Sequence, residues 1–315
     1  MHVEATVVCF HSDPELLARA VDALADQTVP VAAVRVLVND DPHGRDTAAI
    51  RDRLGEAVPI VLEQSAENLG FAGGHNRLLA AGFAAGAELA IVHNPDLALE
   101  RTAVAALAEA AAQGVLAGPV LELADPRTLV GEGVLDTRGI RWTWDGRHLD
   151  AGQGEPLPTG TARAPFAVAG VSGACLAVPR TAFERIVAAS GEFFDEDFVA
   201  YREDAELAFR AELLGVRSVV APAARGRHAR SLRGTARGAD PWVDRLGVRN
   251  RFLIAFKYGR RRPGLLLGPW LRDLVVIAGV LLRERTSLPG LREAWALRVR
   301  MRAKGRRVLA AAGAR

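Results

Sequence analysis

Two stretches of this sequence put carboxylates where α/β proteins do chemistry. Ile91-Val92-His93-Asn94-Pro95-Asp96 carries an apolar strand into a proline-stiffened turn ending in an acid. Ligands of open α/β sheets sit in the crevice at the carboxyl ends of buried strands, which places Asp96 at a candidate site. The plainer alternative is an Asn-Pro-Asp turn capping a helix from Glu100. Asn39-Asp40-Asp41 closes the preceding apolar run, 34–38, in the same way. Later, Phe194-Asp195-Glu196 and Tyr201-Arg202-Glu203-Asp204 mix acids with aromatics ahead of a helix to Leu214. Acids in a first helical turn also satisfy the helix dipole, so charge alone is not diagnostic there. Gly170, Ser172, Gly173 and Ala174 are small enough for a ligand or a second backbone to come close.

The elements that must hold these residues alternate strand and helix, which argues for a mostly parallel central sheet with helices on both faces. Residues 3–10 form a β-branched run. His11-Ser12-Asp13-Pro14 then supplies a cap and a first-turn proline for a helix to about Ala25. Further strands are predicted at 58–62, 89–92 and 115–121, with a helix over 100–112 before the last. Residues 67–76 make a glycine-rich loop leading into an alanine-rich helix. Between Ala124 and Pro165 the periodicity fades, and Trp142 and Trp144 fall in a short hairpin; this reads as a variable insertion. Aromatics alternating on a strand line a groove less often than they cover a sheet face.

With 315 residues, 50% of them hydrophobic, the chain can bury a substantial core. Cys9 and Cys175 lie in apolar runs without disulfide or metal-ligand spacing, and residues 3–10 leave no room for a leader. A reduced, cytoplasmic protein is therefore expected. The net charge of +3 is unevenly spread: residues 249–315 hold 17 Lys and Arg against three acids, a net of +14, and the remainder carries −11. Such a tail points to an anionic partner. Within it, 264–282 is apolar but broken by Arg272 and Asp273, too short for the ~20 residues of a membrane span. Flanked by Arg260-Arg261-Arg262 and Arg283, and holding Trp270, it reads equally as a helix in an anionic lipid interface or as a helix pair packed on the body. Scattered arginines in an apolar tail suit lipid better than nucleic acid.

In order, Asn68-Leu69-Gly70-Phe71-Ala72-Gly73-Gly74-His75-Asn76, Asn94-Pro95-Asp96, Gly173-Ala174 before Pro179-Arg180, Phe194-Asp195-Glu196, Tyr201-x-Glu203-Asp204 and a later histidine, His228, form an ordered set. That set resembles the family 2 inverting glycosyltransferases of the nucleotide-diphospho-sugar (GT-A) fold, and within them a bacterial rhamnosyltransferase-like branch, over roughly residues 3–257. The resemblance implies a catalytic domain over 1–248, carrying the insertion at 124–165, and a helical extension over 249–315. It implies transfer of rhamnose from dTDP-rhamnose to a saccharide or polyprenyl-linked glycan acceptor in cell-surface polysaccharide synthesis, on the inner face of the plasma membrane. Asp96 and His228 would hold manganese or magnesium, which neutralises the departing diphosphate. Asp204 would be the base that takes the acceptor proton, with Glu203 beside it. Phe10, Ser12, Asn39, Asp40, Asn68, Gly70, Phe71, Gly74, Asn76 and Asn94 would face the donor, and Gly173, Ala174, Tyr201 and Trp142 the acceptor.

Two departures alter the expectation. The family's second strand usually ends in Val-Asp-Asn, whereas Val38 is followed here by Asn39 and Asp40, so the base contact falls to one of those residues or the nucleotide preference changes. Asn94 also stands where many members have a first acid. A galactofuranosyl or other hexosyl donor is the nearest competing reading. A non-catalytic scaffold of the same fold is the alternative from another class. A dinucleotide oxidoreductase is disfavoured, because Gly70 to Gly74 lacks Gly-x-Gly-x-x-Gly spacing and follows the third strand. Monomer and oligomer both remain open.

Overall fold

The computed structural model describes residues 1–158, 164–230, 240–261, 264–265 and 267–313. Residues 159–163 of the expected insertion, Arg262 and Leu266 lie outside the described residues. The chain opens with β1 (Val3–Cys9), α1 (Pro14–Ala25), β2 (Val31–Val38), α2 (Arg45–Arg51), β3 (Ile60–Gln64), α3 (Gly70–Ala84) and β4 (Leu89–His93); α2 is not foreseen by the periodicity, and residues 70–76 of the expected loop already belong to α3. Asp13 caps α1 by accepting from the Glu15 amide at 2.9 Å, and Pro14 fills its first turn. Leu17, Val21 and Leu24 then turn one stripe of the helix into the core.

After β4 the expected helix at 100–112 starts late. Leu97–Leu99 instead forms β5, because the end of the chain's last strand pairs with it, and α4 (Ala103–Ala111) follows. Next come β6 (Leu116–Ala124), β7 (Gly131–Thr137), the hairpin β8 (Ile140–Trp142) and β9 (His148–Asp150), β10 (Phe166–Val168), β11 (Cys175–Pro179), α5 (Arg180–Ser190), α6 (Glu203–Leu213) and β12 (Ser218–His228). Three helices end the chain: α7 (Pro241–Tyr258), α8 (Gly268–Leu282) and α9 (Leu288–Gly313).

The main sheet runs β10-β12-β6-β11-β4-β1-β2-β3, with β5 added on β12 and β7 on β6. It is parallel from β4 to β3. The other side is mixed, because β11 enters antiparallel between β4 and β6. All five residues of β4 are buried, as a central strand flanked by β1 and β11 requires. Part of the segment expected to be a variable insertion is thus structural: β7 extends the main sheet.

The expected boundary at residue 248 falls inside α7, which runs unbroken to Tyr258. Leu253 of α7 and Met301 and Val308 of α9 share one apolar cluster with Phe193, Phe194 and Leu207. A second cluster, around Val36, Ile91 and Leu107, involves α1 and α4. Backbone contact between α7 and α9 is close enough that a Cβ on Gly305 would lie 1.8 Å from the Lys257 carbonyl oxygen. Among the described residues no helix is long and apolar enough to cross a membrane.

Candidate active site

Strand pairing brings Asp96 and His228 together across 132 positions of sequence. β12 runs antiparallel to β5 with His228 opposite Leu97, and the Ala229 amide donates to the Asp96 carbonyl at 2.9 Å. That register sets His228 Nε2 3.3 Å from Asp96 Oδ1, and the Asn94 side-chain amide lies 3.2 Å from the same nitrogen. Behind the ring, Asp136 of β7, fully buried, lies 2.8 Å from His228 Nδ1. Burial alone disfavours an imidazolium, but the hydrogen bonds and charges of Asp136 and Asp96 outweigh it and raise the His228 pKa to about 9. A carboxylate on Nδ1 is also the partner that metal-bound imidazoles have, and a cation taken up by Nε2 would displace the proton this ring holds toward Asp96.

These residues suit a divalent cation. Among the described residues no group of three or more His, Cys, Asp and Glu side chains is gathered for a metal. A pair suffices for an ion that keeps several waters and takes its other oxygens from a substrate's phosphates. Asp96 is 5% exposed, so its carboxylate is placed at the floor of the site and not on a solvated turn.

The second carboxylate group sits across Gly173 and Ala174. The Gly173 amide donates to Asp204 Oδ2 at 3.2 Å, and the Ala174 carbonyl accepts from the Asn94 amide at 2.9 Å. One short segment therefore touches both halves of the site. Burial raises the pKa of Asp204, and the charge of Asp150 adds to the rise, while the Gly173 and Ala205 amides and Arg230 oppose it. Glu203 is buried with its Oε2 unpartnered, and burial together with the Asp204 charge pushes its pKa far up. Arg230 joins the two halves: it pairs with Asp136 at 2.5 Å and with Asp150 of β9 at 2.6 Å.

The loop ahead of α6 is strained. Val199, Tyr201 and Arg202 all have positive φ (63°, 65° and 68°), costly for side chains of this size. Asn250, fully buried on α7, holds that loop by donating to the carbonyls of Phe198, Ala200 and Tyr201 at 2.6–2.9 Å. On the other side Gly70 (φ 69°) meets it, and a Cβ there would lie 2.5 Å from the Val199 carbonyl oxygen. The Ala72 amide donates to the same carbonyl.

Many of the residues expected to face the donor hold the frame of the site. Asn39 is fully buried; its Oδ1 accepts from the Leu69 amide and its Nδ2 donates to the Gly70 carbonyl, both at 3.2 Å. Asn68 Oδ1 accepts from the Gly70 amide. Asn76 clamps Phe194 through both its amide and its carbonyl, and Gly74 lets α3 lie on Val8 and Leu37. Asp41 is spent capping α2. Exposed at the strand ends are Asp40, in a left-handed conformation, and Phe10, whose amide donates to Ser12 Oγ. Phe10 stacks 6.4 Å from Trp242, which in turn meets Tyr201 edge-on at 5.9 Å. Phe71 packs against Gly173 beside Asp204. Trp142 lines a small cavity with His148, Arg202 and Arg251, next to this cluster but not at the carboxylates.

Asp136, Arg230, Asp150 and Asn250 are not recovered by sequence reasoning. The one available signal was an acid between Leu135 and Thr137 in a β-like run. Asn250 lies in a helix whose role depends on a loop distant in sequence.

No protein-family model and no curated protein sequence matches the chain. Solved structures do. The chain is similar to GalNAc-T7 with UDP, GalNAc and Mn2+, at a TM-score of 0.62 and 14% identity over 82% of this chain and 48% of that one, so it spans about half the length of that protein. It is similar to the mannosyltransferase PcManGT from Pyrobaculum calidifontis in complex with GDP-Man and Mn2+, at a TM-score of 0.53 and 18% identity over 99% of this chain and 86% of that one. A third likeness is to S. aureus TarS 1–349, at a TM-score of 0.52 and 15% identity over 99% and 89% of the two chains. At these identities the likeness concerns the fold, which is the GT-A fold.

Proposed function

We propose that this GT-A chain is a metal-dependent glycosyltransferase that moves a sugar from a nucleotide-diphospho-sugar to an acceptor hydroxyl with inversion. The observation that carries the reading is the pair of carboxylate groups flanking Gly173 and Ala174, with Asp96 and His228 on one side and Asp204 on the other. Two of the similar structures are described with Mn2+ and a nucleotide or nucleotide-sugar.

Asp96 and His228 would hold the divalent ion, which as a Lewis acid neutralises charge growing on the departing diphosphate. Asp136 fixes the imidazole that faces it. On the acceptor side Asp204 accepts the hydroxyl proton as the acceptor oxygen bonds to the anomeric carbon from the face opposite the diphosphate. The bond from that carbon to the diphosphate oxygen breaks, and its electron pair leaves with the diphosphate. The raised pKa of Asp204 suits this role, since it strengthens the base while leaving it ionised once the pH exceeds that pKa. Glu203, whose pKa burial and the Asp204 charge push up, is less suited than Asp204 to take the acceptor proton.

The sequence motifs favour dTDP-rhamnose as donor and a saccharide or polyprenyl-linked glycan as acceptor. With Asn39 committed to the Leu69–Gly70 backbone, Asp40, Phe10 and Trp242 are the groups left to meet the base. Calorimetric titration of dTDP-, UDP- and GDP-sugars, with and without Mn2+, tests the reading. Metal-dependent binding that disappears in Asp96→Ala supports it, and preference for dTDP-rhamnose fixes the donor. A folded protein silent to the whole panel would leave only a scaffold role.

A further inference from the structure

Helix α8 is amphipathic the wrong way round for a helix facing water. Its one acid, Asp273, points inward, where its Oδ1 accepts from Arg251 Nε at 2.8 Å, alongside buried Val276 and Val280. Outward, Leu271, Leu274, Val275, Ala278, Leu281 and Leu282 recur at helical spacing and are all exposed, Leu274 by 64% and Leu282 by 79%. The patch continues past the start of the helix. Leu265 and Leu267 are two-thirds exposed, Trp270 about half, and the exposed Trp144 of the hairpin accepts through its carbonyl from the Leu265 amide. A contiguous apolar surface of this kind marks a contact site and not ordinary surface.

Charge identifies what covers it. Arg261 before the helix and Arg283 and Arg285 after it are exposed and flank this face. A symmetric pairing of two such faces would set like charge against like charge. An anionic surface is complemented instead, and two tryptophans at one end of an apolar face are what a headgroup boundary accommodates. With 15 residues, α8 is about 22 Å long, and one of its sides is committed to protein. It can lie in a bilayer interface but cannot cross the ~30 Å core.

From this we infer that the outward face of α8, with Trp144 and Trp270 at its edge, seats the protein on an anionic lipid surface. Seated there, the hairpin packed on the start of α8 lies at the headgroups: a Cβ on Gly268 would meet the Trp144 ring. Trp142 and His148, on the same hairpin, line a cavity with Arg202 of the loop ahead of α6, so the seated face and the proposed acceptor side are joined through this hairpin.

Co-sedimentation of the full-length protein with vesicles of phosphatidylcholine alone, and of phosphatidylcholine with phosphatidylglycerol, tests the inference. The variant Leu274→Glu/Leu281→Glu alters only exposed side chains and should keep the melting temperature. Truncation is avoided because α9 supplies Lys304 to the core. The expected result is binding to the anionic vesicles that weakens with salt and falls at least tenfold in the double variant. Equal binding of variant and parent, or no binding of the parent, overturns it. So does sedimentation equilibrium showing a parent dimer that the same variant dissociates, since a second copy would then be the occupant.

Discussion

Asp136 touches no substrate position, yet both His228 and Arg230 are oriented by it. Asp136→Asn should therefore weaken Mn2+ binding by the 10–100-fold typical of a lost outer-shell carboxylate, measured by calorimetry in the absence of donor. Unchanged affinity would make Asp136 a packing residue only. Asp204→Asn should slow transfer by roughly 10²–10⁴ with nucleotide-sugar binding nearly intact. The same substitution should leave stability at neutral pH equal or higher. Asp204 has a folded pKa above its unfolded value, so its ionisation weighs against the folded state once the pH rises through that pKa. The rate should follow the opposite limb, failing as acid protonates the base at a pH above the usual aspartate range. Asp96, Asp204 and His228 were legible because their types and order match a motif. Asp136 and Arg230 were not, because they act through another side chain and no spacing rule joins residues on β7, β9 and β12.

The loop at 199–202, just ahead of Asp204, is held in place by another element and not by a motif. Three residues with positive φ persist there because the two hydrogens of the Asn250 amide are shared among the carbonyls of Phe198, Ala200 and Tyr201, and Arg249 donates to that of Asp197 just before the loop. Asn250→Ala should cost about 1–3 kcal/mol for each carbonyl left buried without a donor, read in a urea melt. It should also slow transfer, because Glu203 begins the next helix. Asn250→Asp, which keeps the shape but loses the donors, should fail in the same way. Below this loop, Lys257 sits 2.5 Å from Asp195 and 2.7 Å from Glu206, and Glu206 also pairs with Arg210 and Tyr258. Lys257→Met would take one cation from each of two buried acids, leaving Asp195 to Lys304 and Glu206 to Arg210, and should cost no more than the roughly 3–5 kcal/mol of a broken buried pair. Asp195 and Glu206 both have pKa values lowered by these cations against the pull of burial. Their contribution is thus complete above the ordinary carboxylate range and lost as the pH falls below it, so the variant should differ least from the parent in acid. The strands up to β4 and helix α1 were readable from periodicity, but the seven-residue α2 and the start of α3 within the glycine-rich stretch were not. β5 was not readable either, because it exists only through its pairing with β12.

For the molecule as a whole, composition foretold a body and a basic extension of opposite charge, but not how they join. A boundary at 248 separates charge correctly and cuts α7 through the middle, because the cations nearest the cut, Arg249, Arg251 and Lys257, are buried partners of groups elsewhere. The amphipathic reading of 264–282 left two options; α8 packs one side on protein and leaves the other exposed. The pairing of Asp195 with Lys257 and Lys304 has a consequence for synthesis. A nascent chain exposes Asp195 and Glu206 before either lysine has been translated, and Lys304 lies near the end of the last described helix. The charge of Asp195 is accordingly balanced in full only once α9 has been made as far as Lys304, so a chain ending before Lys304 should melt below the full-length protein.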